Sequence, residues 1–93
     1  MNIYDVGDKI RISGSFTASG VLSDPASVVF KLYNRKVLIE THTYGISADL
    51  IKDSVGNYHI DYVIPVLGNY SYDFIGSGTI DASETGFFIA KSV

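Results

Sequence analysis

Apolar and polar residues alternate along most of this chain. Ile10, Ile12 and Phe16 are interleaved with Lys9, Arg11 and Ser15, and Val28, Phe30 and Leu32 with Val29, Lys31 and Tyr33. Tyr58, Ile60, Tyr62 and Ile64 share one phase, with His59 and Asp61 in the other. Tyr70, Tyr72 and Phe74 repeat the pattern against Ser71 and Asp73, and Phe88 and Ala90 share a face near the end. Successive side chains of a strand point to opposite faces, so each run predicts a half-buried β-strand. Residues 36–44, rich in β-formers (Val37, Ile39, Thr41, Thr43), predict a further strand after a hairpin turn at Asn34-Arg35. Residues 46–52 predict a short edge strand. No segment keeps a helical period. About seven short strands at regular spacing predict an all-β sandwich or small barrel.

Turn chemistry divides these runs. Residues 1–7 read as an N-terminal arm ending at Gly7, and residues 8–93 as one β-domain. Residues 18–25 form a loop closed by Asp24-Pro25, Gly45 breaks a strand, and Gly56 supplies a positive φ in the 53–57 turn. Pro65 and Gly68 mark a tight corner between two strands. Gly76 and Gly78 loosen the chain ahead of a polar connection at 79–85. Gly14 falls on an apolar face and marks a bulge or a close backbone approach. The expected core is Ile10, Ile12, Phe16, Val28, Phe30, Leu32, Ile60, Tyr62, Tyr72, Phe74 and Phe88.

Composition narrows the function classes. The 93 residues suffice for one domain, and 46% apolar with 13% aromatic content suits a packed β protein. Seven basic residues are scattered through a chain of net charge −3, so no nucleic-acid-binding stripe forms. With no cysteine there is neither a disulfide nor a thiolate metal site. No secretory signal or bilayer-length apolar run is present, so the expectation is synthesis in the cytoplasm and no membrane partner.

Candidate chemistry is sparse. His59 and Asp61 share an outward face and represent half of a metal or acid–base pair, but the other histidine, His42, lies on a different strand; a solvated face is the simpler reading. Asp53 with Asn57, or Asp49 with Asp53, offers oxygen ligands for Ca²⁺ in a loop, against the simpler role of turn formation. Gly76-x-Gly78 opens no helix and therefore cradles no phosphate. Ser13, Ser15 and Ser77 lack nucleophile-elbow spacing. The expectation is a protein that is not an enzyme, with no cofactor and no catalytic or metal-binding residue. Most tyrosines belong to core rows. Tyr33, Tyr44 and Val63 fall outside them and, with Ile3 and Tyr4 of the arm, are the candidate protein-contact residues.

Gly68-Asn69-Tyr70-Ser71-Tyr72 resembles the tyrosine corner of immunoglobulin-like domains, with Tyr70 as the corner tyrosine and Tyr72 at the inward position occupied by cysteine in antibodies. The hallmark tryptophan is missing. Across nearly the whole chain, the order of 6–12 (VGDKIRI), 23–28 (SDPASV), 52–59 (KDSVGNYH), 67–72 (LGNYSY), 76–79 (GSGT) and 82–88 (ASETGFF) resembles a family of small single-domain immunoglobulin-like proteins of tailed bacteriophages and prophages. The resemblance implies an immunoglobulin-like β-sandwich of about seven antiparallel strands. It also implies a non-enzymatic structural role in the virion, foremost as an outer capsid decoration protein, with head-fibre, neck, connector and tail roles as alternatives. The implied partners are the major capsid protein or other virion proteins, with homo-oligomerisation left open. A bacterial adhesion or carbohydrate-binding module is the alternative from a different class.

Overall fold

The computed structural model describes residues 2–78 and 82–92, which form ten β-strands. They are β1 (Asn2–Asp5), β2 (Lys9–Ser15), β3 (Thr17–Ala18), β4 (Val21–Leu22), β5 (Ser27–Asn34), β6 (Val37–Thr43), β7 (Leu50–Ser54), β8 (Asn57–Val63), β9 (Gly68–Ser77) and β10 (Ala82–Lys91). Five strands pair in the order β1-β10-β9-β5-β6 and three in the order β2-β8-β7, while β3 and β4 make a separate hairpin. β2-β8-β7 take the places of a B-E-D sheet, and β10-β9-β5-β6 those of a G-F-C-C′ sheet. This is the strand order of an immunoglobulin-like β-sandwich.

The alternating rows meet between the sheets. Ile10, Ile12, Phe16, Val28, Phe30, Leu32, Ile60, Tyr62, Phe74 and Phe88 are all buried as expected, and Leu50, Tyr58, Ile64, Tyr70 and Ala90 join them. Phe30 packs on Phe74 with ring centres 5.0 Å apart, and Tyr70 stacks on Phe88 at 4.8 Å. Tyr72 is the exception: it is only partly buried against this core, because its cross-strand partner is Gly86 and its ring lies over that glycine. Gly14 is a close approach and not a bulge. A Cβ there would sit 2.6 Å from Cδ2 of Phe74, so the missing side chain is what lets the Phe74 ring fill the core.

Several expectations need correction. Residues 2–5 are not a free arm; they form β1, which pairs in parallel with β10, Ile3 beside Ile89 and Tyr4 beside Ala90. The other strand pairs are antiparallel. The loop at 18–25 contains the β3–β4 hairpin, and the edge strand expected at 46–52 begins only at Leu50. The last strand reaches back to Ala82, shortening the expected 79–85 connection, whose residues 79–81 lie outside the described ones. The β5–β6 hairpin turns on Arg35 and Lys36, one residue later than expected; their φ angles of 52° and 69° are those of a type I′ turn.

Candidate functional site

The two sheets present different faces to solvent. Lys9, Arg11, Ser13 and Ser15 of β2 point outward from the three-stranded sheet, and Arg11 forms a two-point ion pair with Asp61 of β8 at 2.9 and 3.1 Å. Hydrogen bonding with Arg11 holds the Asp61 carboxyl below the usual carboxylate range and raises the guanidinium in turn. This face is mostly polar, with Val63 and Ile51 as its exposed apolar groups.

The outer face of the five-stranded sheet is more extensively apolar. The register aligns Phe87, Ser71, Tyr33 and Leu38 in one row across β10, β9, β5 and β6. The next row is Thr85, Asp73, Lys31 and Thr41, and the third is Ser83, Ile75, Val29 and Thr43. Ile89 and Ile3 continue the apolar surface toward β1. Ile3 is 63% exposed, Phe87 59% and Leu38 49%, so large apolar groups stand in water at three strands of this face. A bulge in β6 between the partners of Leu32 and Tyr33 shifts the phase, which turns Leu38 outward beside Tyr33. A second apolar region lies at one end of the sandwich, where a cavity is lined by Val6, Val66, Leu67 and Ser92.

The candidate contact residues divide among these regions. Tyr33 and Ile3 belong to the outer face, and Val63, 55% exposed, sits at the end of β8 opposite Lys9 on the other sheet. Tyr44 lies at the far end of the molecule, its ring edge-on to Tyr58 at 5.3 Å. Tyr4 is not a contact residue of the free surface: it points inward and meets Phe88 edge-on at 5.8 Å. Phe87, Ile89, Leu38, Val29 and Ile75 went unremarked in the sequence, although a signal existed. Each of Val29, Ile75, Phe87 and Ile89 is the odd-phase neighbour of a core residue, an apolar group where alternation calls for a polar one.

The titratable residues singled out from the sequence serve the fold. His59, expected on a solvated face, is buried at 7%, with Nδ1 at 2.7 and 2.8 Å from the two carboxylate oxygens of Asp53. That contact also occupies the carboxylate considered for Ca²⁺. Among the described residues no group of three or more His, Asp or Glu side chains is placed to hold a metal ion. Asp24 is the busiest carboxylate: it accepts hydrogen bonds from Lys52 Nζ at 2.6 Å, the Gly56 amide at 2.8 Å and the Tyr58 hydroxyl at 3.0 Å. The Lys52 contact, helped by the Gly56 amide, keeps its carboxyl below the ordinary range. Burial, aided by Asp24, pushes the Tyr58 hydroxyl up to about 12. Burial raises Tyr62 further, with Glu40 reinforcing the shift.

No protein-family model and no curated protein sequence matches the chain. Among solved structures it is similar to a candidate glycoside hydrolase from Bacteroides vulgatus ATCC 8482, with a TM-score of 0.60 and 17% identity over 100% of this chain. The chain spans 17% of that protein's length. At that identity the likeness concerns the fold.

Proposed function

We propose that this chain is a non-enzymatic interaction module that serves as a structural protein of a tailed-phage virion, decorating the outside of the capsid. The observation that carries the module reading is the apolar outer face of the five-stranded sheet, where Phe87, Leu38 and Ile3 stand exposed in rows that a merely solvated sheet fills with polar groups. Together with the apolar end at Val6, Val66 and Leu67, it gives the module two separate contact regions. A rigid sandwich with two such regions binds both an assembled shell and a neighbour, and repetition over a symmetric lattice multiplies weak contacts into firm attachment. The virion assignment itself rests on the sequence resemblance. Its test is the copy number of this protein in purified particles relative to the major capsid protein. Hundreds of copies per particle support decoration, about six to twelve assign it to the symmetric neck or tail, and absence from particles removes the virion reading.

A second reading, an accessory domain of a larger carbohydrate-active protein, draws on the likeness to a segment of the Bacteroides protein. Retention of the purified chain on immobilised polysaccharide, with loss of retention on Phe87→Ser substitution, supports it; flow-through on a broad panel of polysaccharides dismisses it.

A further inference from the structure

We propose that the outer face of the five-stranded sheet is a self-association surface, occupied by a second copy of this chain related by a two-fold axis that runs along the strands between β5 and β9. The inference rests on reading this face as a protein-contact surface, but not on the virion assignment.

The argument comes from the register. A two-fold axis lying in the interface along the strand direction keeps every residue in its own row and exchanges strands, β5 with β9 and β6 with β10. In the central row Thr85–Asp73–Lys31–Thr41, this operation brings Asp73 of one copy against Lys31 of the other, twice per dimer, and Thr85 against Thr41. The row above it sets Phe87 against the partner's Leu38 and Ser71 against the partner's Tyr33. In the row below, Ile75 meets the partner's Val29 and Ser83 meets Thr43. Apolar thus meets apolar in both flanking rows, and opposite charges meet in the middle.

Isologous contact of this kind requires a patch complementary to itself, and few faces satisfy that row by row. The Asp73 carboxylate, which accepts the Thr85 hydroxyl at 2.6 Å, is half-buried and held in place before any partner arrives. On the outer face of the three-stranded sheet, Arg11 and Asp61 are already paired within the chain, leaving no acidic partner for an opposed copy's Lys9 in that pair.

Size sets the expected strength. The four strands that overlap, β10, β9, β5 and β6, at about 4.8 Å, and some seven residues at about 3.4 Å, make a patch on the order of 450 Å² per copy, with β1 left outside it. The roughly 900 Å² buried in total falls below the standard range and in the class of weak, transient interfaces, so the dimer is reversible and forms only toward the upper end of the micromolar range. Face-to-face sheets of this type pack with strands aligned within about 30°. The apolar end at Val6, Val66 and Leu67 lies outside this face and stays available to another partner.

The test is sedimentation velocity across the micromolar range on the intact chain and on two charge reversals, Lys31→Asp and Asp73→Lys, with circular dichroism confirming that each variant is folded. The intact chain is expected to move from monomer to dimer, and each reversal to weaken self-association at least tenfold. Mixing the two variants in equal amounts is then expected to restore a heterodimer, since one supplies a face with both central charges acidic and the other a face with both basic. Because the chain has no cysteine, a covalent check is open: Val29→Cys and Ile75→Cys variants should form a disulfide on mixing far faster than either does alone. A chain that stays monomeric throughout, or a dimer indifferent to both reversals, overturns the proposal. If either happens while Phe87→Ser still abolishes attachment to particles, the contact-surface reading survives and only the second copy is lost as its occupant.

Discussion

The hydroxyl of Tyr70 donates a hydrogen bond to the carbonyl oxygen of Val66, four residues upstream, at 2.6 Å. The bond closes the corner between β8 and β9 around a side chain that is 1% exposed and stacked on Phe88. Burial also raises the hydroxyl's pKa, so it remains a donor across the neutral range. Tyr70→Phe keeps the ring and removes only this bond, leaving a carbonyl without its partner. The expected loss is about 1 kcal/mol, read as a lower denaturation midpoint at unchanged m-value.

Gly14 and Phe74 form a lock of a different kind. Gly14→Ala places a methyl group within 2.6 Å of the Phe74 ring, on a central part of the side chain that has no room to swing away. Overpacking of this sort costs about 1–3 kcal/mol. Adding Phe74→Leu opens the space, so the double variant is expected to lose less stability than the sum of the two single losses.

The β5–β6 turn holds two non-glycine residues, Arg35 and Lys36, in the left-handed region. Replacing them together by Asn and Gly, the pair best suited to a type I′ turn, is expected to stabilise the domain by about 1 kcal/mol. A rise in melting temperature of several degrees checks it.

Two groups around the Asp24 cluster make stability depend on pH at opposite ends of the scale. The folded Asp24 has its pKa lowered by Lys52 and the Gly56 amide, so its contribution is present above the ordinary carboxylate value of about 4 and is lost as pH falls through the lower folded value. Asp24→Asn is expected to flatten the acid limb of the stability profile. Tyr58 runs the other way, with a folded pKa of about 12. Its contribution is complete below about 10, where the unfolded chain begins to ionise, and declines as pH rises through the folded value. Tyr58→Phe should remove that part of the alkaline decline. Urea midpoints taken across the pH range measure both limbs.

The legible parts of this molecule were those governed by local alternation. Tyr70 could be identified from its corner, and Ile10, Ile12, Val28, Phe30 and Leu32 from their period of two. What escaped depended on partners distant in sequence or on breaks in phase. β1 spans only four residues, and it is a strand because β10, from the other end of the chain, lies beside it. His59 follows the alternation outward, yet it is buried because an irregularity in the β7–β8 register between Lys52 and Ser54 leaves Asp53 without a cross-strand partner and in contact with the imidazole. Of the candidate surface, Tyr33 and Ile3 were visible. Leu38 was not, since the bulge that turns it outward leaves no mark in the sequence.

The parallel pairing of β1 with β10 also governs how the molecule bears mechanical load. Tension applied between Asn2 and Ser92 pulls two neighbouring strands past each other along their length. The rungs from Asn2–Phe88 to Asp5–Lys91, with the Val6 amide bonded to the Lys91 carbonyl at 3.0 Å, are then strained together in shear and not peeled one at a time. In a single-molecule pulling experiment across these residues, the highest force peak should mark the rupture of this pair. Removing residues 2–5 should lower that peak far more than it lowers equilibrium stability. Four residues at the margin of the sheet thus make the sandwich resist stretching where a hairpin edge would unzip.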